Sequence, residues 1–353
     1  MNISGLSVII CCYNSVARLP ATLQHLAAQN AVDFEWEVII VDNNSTDDTA
    51  GVANREWLKY NLSVPLQVVR ESKPGLSFAR GKGIATSQHE IILFCDDDNW
   101  LGIDYVRTAH ALMQDQTIGI VGGLNVPVAD IAVPAWFHKF KHAYACGPQA
   151  AQDGDIDAGR LYITGAGMVT RKKIFRVLDE INFTSYLTDR TGADLSSGGD
   201  TEFSIITALL GYRLVYSSKL LLQHYMENKR LTWSYFLKLT KGHGQSYYKL
   251  DLYKQLYEKD KLNNQWLSYF QSASKVRAIV QQFRRALYYC RVYIRNKEEQ
   301  VGSAAVVEAI FNMEMWKTHL RFRSEYTNFV NSLNELKQRL RSRSYTDESD
   351  INS

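Results

Sequence analysis

The sequence predicts an α/β fold built on a mainly parallel sheet, and three observations carry that expectation. Over the first 125 residues, short β-branched runs alternate with longer amphipathic ones, the pattern of βαβ units. Each apolar run ends in polar, loop-forming residues, as strands of open α/β sheets do at the carboxyl ends where ligands bind. The sharpest of these ends is Ile91-Ile92-Leu93-Phe94-Cys95-Asp96-Asp97-Asp98, where an apolar strand pattern stops at three consecutive carboxylates.

Taken in order, strands are expected at residues 6–12, 36–42, 65–70, 90–95 and 118–125. Helices fall between them at 20–29, opened by Pro20, then at 47–60, 76–87 and 103–114. From 126 to 160, Pro127, Pro134 and Pro148 with several Gly and aromatic residues indicate a long ordered loop or insertion. Regular structure returns with a strand-like stretch at 161–170, a helix at 200–210 and two short strands at 213–216 and 220–223. Beyond 231 the pattern is helical and rich in Tyr and Trp, and a polar tail starts near 341.

Composition narrows the class. A hydrophobic content of 46% with 22% charged residues is that of a globular protein, and no run approaches the roughly 20 apolar residues that span a bilayer. The amino terminus enters a strand-like run with no basic region or cleavage site, so a cytoplasmic protein is expected. Five cysteines form no CxxC pair and sit mostly in apolar runs, as reduced core residues do. A net charge of +3 gives no reason to expect a nucleic-acid partner.

Three adjacent Asp residues repel one another, so they either cap the following helix or share a cation, and the residues alone leave both open. In an extended segment Asp96 and Asp98 point to one side and Asp97 to the other. Two further features could serve a nucleotide sugar. Tyr13-Asn14 and Asp42 stand at adjacent strand ends, where they can hold a base and a ribose. Ser197-Gly198-Gly199-Asp200-Thr201-Glu202-Phe203 presents carboxylates at a helix start behind two glycines.

With these motifs in view, the chain resembles the family 2 glycosyltransferases of the GT-A fold over about residues 5–230. The likeness rests on SVIICCYNSVARLPATLQHL (7–26), VIIVDNNSTDDT (38–49), PGLSFARGKGIATSQHEIILFCDDD (74–98) and GGDTEFSIITALLGYRLVYSSKLLLQH (198–224), in the family's order and spacing. The chain departs from the family pattern at Cys11-Cys12, at Gly81 where Asn is usual, and at Gly199 where Glu is common.

The resemblance implies a nucleoside-diphosphate sugar donor and a Mn2+ or Mg2+ ion. Tyr13, Asn14, Asp42, Asn44, Arg80, Asp96, Asp97 and Gly167 would make up the donor site. Asp98, Asp96 and His224 would be the metal ligands. Asp200 would be the general base of an inverting transfer, with Glu202 as the second candidate. It further implies a catalytic region at 1–230, divided into a nucleotide-sugar half (1–125) and an acceptor half (126–230), followed by helices at 231–340. Lys73 and Arg80 are either diphosphate contacts or solvated residues. Gly165-Ala166-Gly167-Met168 with Arg171 is either a close approach to the substrates with Arg171 on a phosphate, or a structural turn.

In the last third, residues 275–297 alternate an apolar stripe with Arg277, Arg284, Arg291 and Arg295. Such a helix docks on the protein or on a second copy, or it meets an anionic membrane beside a lipid-linked acceptor. Trp233, Tyr235, Phe236 and Gly242-His243-Gly244 either border an acceptor or pack in the core. The expected activity is sugar transfer to a hydroxyl of a glycan or lipid-linked glycan. Two alternatives stand beside it. A sugar nucleotidyltransferase usually carries a Gly-rich loop after its first strand, and Cys11-Cys12-Tyr13-Asn14-Ser15 has no Gly. A non-catalytic nucleotide-sugar-binding subunit is suggested by Gly199.

Overall fold

The computed structural model describes residues 5–30, 33–187, 198–264 and 301–343, with isolated positions between 277 and 291. Nine strands form one sheet: β1 (Gly5–Cys12), β2 (Glu35–Asp42), β3 (Leu66–Arg70), β4 (Ile91–Asp96), β5 (Asn99–Leu101), β6 (Ile118–Val128), β7 (Gly154–Asp155), β8 (Val169–Arg171) and β9 (Arg213–Tyr225). Their order is β3-β2-β1-β4-β8-β6-β9-β5, with β7 added on β9. The β1–β2, β1–β4, β2–β3 and β6–β9 pairs are parallel, while β8, β5 and β7 run against their neighbours.

Strands β1, β2 and β4 are predominantly apolar in their middles because both faces of the sheet are covered. Leu6, Val8, Ile10 and Cys12 of β1 face a core shared with α1 (Leu19–Ala27), α2 (Thr49–Lys59) and α4 (Tyr105–Leu112). Ile9 faces the other side with Ile39, Ile92, Phe94 and Ala79 of α3 (Leu76–Thr86). A one-residue slip in register would exchange these two sets, so the register is fixed by the core and the strand ends align at one edge.

Two helices, α6 (Lys172–Glu180) and α7 (Gly199–Leu209), join the carboxyl-terminal helices α8 (Trp233–Glu258) and α10 (Tyr326–Arg341) in one core of Ile174, Ile205, Ile206, Leu252, Val330 and Leu333. Helix α8 is capped by Thr232, whose side chain accepts from Tyr235 N at 3.3 Å. It crosses α9 (Ala304–Arg321) at Gly244, where a Cβ would stand 2.6 Å from Phe311 O, so glycine lets the two backbones touch. Lys337 of α10 caps the far end of α8 by donating to Leu256 O and Lys259 O, each at 2.6 Å. A fourth core gathers Phe137 of α5 (Ala135–Phe140), Tyr144, Leu231 and Phe236, with Trp233 and Tyr235 against it.

Several expectations change. Of the strand-like stretch 161–170 only its end joins β8, because Leu161 (φ 54°) and Gly167 (φ 72°) turn the chain out of the extended region. The two short strands expected at 213–216 and 220–223 are one continuous strand, β9. Strand β5 was not anticipated, since three residues are too few to show a period. Most of residues 275–297 and the tail beyond 343 lie outside the described residues. No described helix is long and apolar enough to cross a membrane.

Candidate active site

The carboxyl ends of β1 and β4, the loop before β8, the start of α7 and one side of α8 enclose a cavity of about 740 Å³. Asp96, Asp97, Asp98, Asp200, Arg80, His224 and Arg230 all line it. The topology explains their meeting. Antiparallel pairing of β5 with β9 sets Asn99 opposite His224, so the residue just before Asn99, Asp98, lies beside the imidazole. The remaining turn, Asn228–Leu231, then returns Arg230 to the same carboxylate.

Asp98 lies between two cations. Its Oδ1 is 3.5 Å from His224 Nε2 and its Oδ2 is 3.0 Å from Arg230 Nη1. Burial opposes its charge, but the His224 and Arg230 charges override burial and hold the carboxyl at about 2. Burial likewise opposes a charged His224, and Asp98 outweighs it, raising the imidazole to about 9. Asp96 is in the opposite situation. Burial first, then the neighbouring charge of Asp98, pushes it up to about 6, and Arg80 and His224 only partly offset them. It is a carboxylate short of positive charge.

Two carboxylates and an imidazole suit Mn2+ or Mg2+ by donor type, and the charge deficit at Asp96 fits an ion. Among the described residues no three such groups are already gathered around one point. An ion would have to compete with Arg230 and the imidazolium for Asp98.

Asp97 and Asp98 form the turn between β4 and β5, and Asp97 is bound by Ser15 Oγ and by Arg18 Nη2 at 2.7 Å, apart from the partners of Asp98. Arg18 also donates to Tyr13 O at 3.4 Å and Asn14 O at 3.5 Å, and reaches Glu227 at 3.5 Å. One guanidinium thus ties the loop after β1 to the ends of β4 and β9. Sequence reading missed both Arg18 and Arg230, because a lone Arg in a loop or at a helix start reads as solvated.

Asp200 begins α7. Its Oδ1 pairs with Arg80 Nη1 at 2.7 Å, and its Oδ2 accepts from Gly165 N at 2.9 Å. Arg80 is further held over the Phe94 ring at 5.0 Å, so it is a positioned group of the cavity rather than a solvated one. Glu202 is placed elsewhere: it is 2% exposed and accepts from Ser185 Oγ and from Tyr186 N at 3.0 Å, outside the cavity. The second candidate base is therefore a buried loop anchor.

The expected nucleoside residues lie on the shelf beyond β1 and β2. Asp42 Oδ1 accepts from Ser45 N at 3.0 Å and Asn14 Oδ1 from Thr46 N at 2.8 Å, joining the two loops, while the Tyr13 ring is 57% exposed above them. Asn44 (φ 61°) accepts from Arg70 at 3.5 Å. Lys73 is exposed and lies over Phe78, away from the cavity.

Gly167, expected in the donor site, and Arg171, left open between a phosphate contact and a structural turn, both lie in the core. Gly167 packs against the core: a Cβ there would stand 2.8 Å from Leu222 Cδ1, and Gly167 O accepts from Tyr105 Oη at 2.7 Å. Arg171 is fully buried and donates to the carbonyls of Ile118, Met113 and Asp115, so it faces no phosphate. Phe236 is a core residue with the half-buried Trp233 and Tyr235 packed against that core, whereas His243 lines the cavity.

A mainly parallel sheet with a carboxylate-rich cavity at its strand ends, flanked by helices, is an architecture of the GT-A type. The mannosyltransferase PcManGT from Pyrobaculum calidifontis, solved with GDP-Man and Mn2+, shares this fold at a TM-score of 0.52 and 14% identity, over 97% of this chain and 87% of that one. Residues 7–178 match the family model of Glycosyl transferase family 2.

Two curated relatives are similar over shorter stretches. The poly(ribitol-phosphate) beta-N-acetylglucosaminyltransferase TarS of Staphylococcus aureus is 30% identical over 109 residues, 31% of this chain and 19% of TarS. The poly(ribitol-phosphate) beta-glucosyltransferase of Bacillus spizizenii is 30% identical over 125 residues, 34% of this chain and 19% of the relative. The matched stretches thus span about a fifth of those relatives' length.

Proposed function

We propose that this chain is an inverting glycosyltransferase that moves a sugar from a nucleoside-diphosphate donor to a hydroxyl of a glycan or lipid-linked glycan. The observation that carries this reading is the meeting of Asp96 and Asp98 with Asp200 in one cavity, with Arg80 between them: it pairs with Asp200 and its charge is felt at Asp96. The match of residues 7–178 to the family model, and the similarity to relatives named as sugar transferases on poly(ribitol-phosphate), support it.

In this reading the nucleoside lies over the shelf of Tyr13, Asn14, Asp42 and Asn44, and the diphosphate points to Asp96 and Asp98. Mn2+ or Mg2+, held by Asp96, Asp98 and His224, would supply charge neutralisation of the leaving diphosphate. The Gly165 amide and Arg80 hold the Asp200 carboxyl in place at the cavity. Asp200 takes the proton of the acceptor hydroxyl as its oxygen bonds to the anomeric carbon. The bond from that carbon to the diphosphate oxygen breaks, and its electron pair leaves with the diphosphate. Residues 1–125 then serve the donor, 126–230 the base and part of the acceptor site, and the helices after 231 complete the wall.

Calorimetry with uridine and guanosine diphosphates, with and without Mn2+, followed by turnover of the matching donor, tests the reading. Asp200→Asn should lower turnover by about 10²- to 10⁴-fold with nucleotide binding retained. Near-full activity in that variant would overturn the assignment of the base. Metal-dependent binding with no turnover on any acceptor would favour the binding-subunit alternative.

A further inference from the structure

The charges of the cavity divide into two sets. At the strand ends every cation has a carboxylate: Arg80 with Asp200, Arg230 with Asp98, Arg18 with Asp97. On the far side, Arg160 and Lys254 line the same cavity half-buried, and among the described residues neither has a carboxylate in ion-pair range. Lys254 donates to Gly159 O and Arg160 Nε to Tyr162 O at 3.2 Å. These bonds fix the side chains without pairing either cation to a carboxylate, so among the described residues two cations stand against the one carboxylate of this wall, Asp251.

The backbone between them is built for this placement. Leu161 adopts φ 54°, a conformation that costs a residue with a large side chain roughly 1 kcal/mol or more. The Leu161 side chain is 3% exposed in the core with Ile174 and Ile205. That turn sends Leu161 inward and leaves both Arg160 and Tyr162 on the cavity, with the guanidinium 4.4 Å above the Tyr162 ring. Tyr247 of α8, 43% exposed, also lines this side. Exposed rings suit the apolar faces of a sugar. The excess positive charge is felt locally: burial first, then Arg160 and Lys141, hold the His142 imidazole below its ordinary range.

We infer that this outer half of the cavity is the acceptor subsite and that it takes a glycan unit bearing a negative charge, with Arg160 and Lys254 on the anion and Tyr162 and Tyr247 against the ring. The inference rests on the transferase reading above and adds the acceptor's chemical class. Asp251, one turn before Lys254 on α8, is the carboxylate of this wall and accepts from Gln255 Nε2 at 2.7 Å.

The test is binding of glucose, glucose 6-phosphate and glucuronic acid to the full chain saturated with the diphosphate it binds, followed by calorimetry or NMR. The two acids should bind at least about tenfold more tightly than glucose, as charge-assisted bonds to two cations require. A preference for one acid over the other identifies the anion as phosphate or carboxylate. Arg160→Gln with Lys254→Gln should reduce the preference to about twofold or less, with glucose and nucleotide binding unchanged, and Arg160→Lys should keep most of it. Equal binding of all three sugars by the parent chain would overturn the inference. So would a loss of nucleotide affinity in the double variant, which would put these cations on the donor. If neither diphosphate binds the parent chain at all, the transferase reading itself fails first.

Discussion

Gly165→Ala isolates the positioning of Asp200 from its chemistry. Gly165 does not occupy the left-handed region, so the backbone accepts alanine. What the site does not accept is the methyl group, which would stand 2.5 Å from Oδ1 and 2.6 Å from Cγ of Asp200. Ordinary contact requires the carboxylate to retreat by about 1 Å, and a displacement of that size at a reacting group is worth about 10²-fold in rate. The bond from Gly165 N to Oδ2, now 2.9 Å, would be lost or stretched as well, with about 1.5–3 kcal/mol at stake for a bond to a charged group. The assay is steady-state turnover beside nucleotide calorimetry and a thermal melt. Turnover should fall about 10²-fold, nucleotide affinity should hold, and on an Asp200→Asn background the same change should add little, since both act on one group. A Gly165→Ala enzyme within about twofold of the parent would refute the claim that this amide sets the base, because the predicted displacement is worth far more.

Other outcomes follow from the same geometry. If an ion binds at Asp96 and Asp98, Asp98→Asn should abolish any gain in nucleotide affinity on adding Mn2+ while leaving metal-free affinity close to the parent's; a retained Mn2+ effect would place the ion elsewhere. Arg18→Met breaks the pair with Asp97 and the bonds to Tyr13 O and Asn14 O, so urea unfolding should register a loss of about 2 kcal/mol, with weaker nucleotide binding. His319, 1% exposed against the Tyr248 and Trp316 rings, is held by burial at about 4. The unfolded chain takes up this proton near 6.5, so the stabilisation is complete above that pH and is lost as pH falls towards 4, by no more than about 3 kcal/mol. His319→Phe should therefore flatten the decline in stability between pH 7 and pH 5 measured by urea titration.

The half of the site that lies on strands was legible because periodicity reports it. The apolar runs of β1, β2 and β4 announce buried strands, and their polar ends announce the ligand edge. Asp97 and Asp98, expected in an extended segment, instead form the turn after β4, so their different partners do not come from strand alternation. What periodicity cannot report is which distant residue answers each charge. Arg230 reaches Asp98 through the β9–β5 pairing, and β5 is only three residues long. The carboxylate triplet itself was the one available signal, since three clustered negative charges require cations from somewhere. Arg171 and Gly167 misled for the converse reason. A Gly-rich turn before a basic residue looks the same whether the turn faces a ligand or the core, and only the packing of Tyr105 and the carbonyls of residues 113–118 decides it. The outer wall was hidden because α8 reads as a helix without showing which of its faces meets the cavity.

Helix α10 never touches the cavity, yet its Lys337 holds the end of the helix that walls it, and its apolar face fills the core beneath. That arrangement sets an order of events during synthesis. The sheet and its carboxylates can assemble while the chain is still emerging, but the wall formed by α8 cannot be latched until residue 337 has left the ribosome. A nascent chain would thus acquire its carboxylate edge well before its α8 wall, so that the closed cavity exists only once helix α10 has been made.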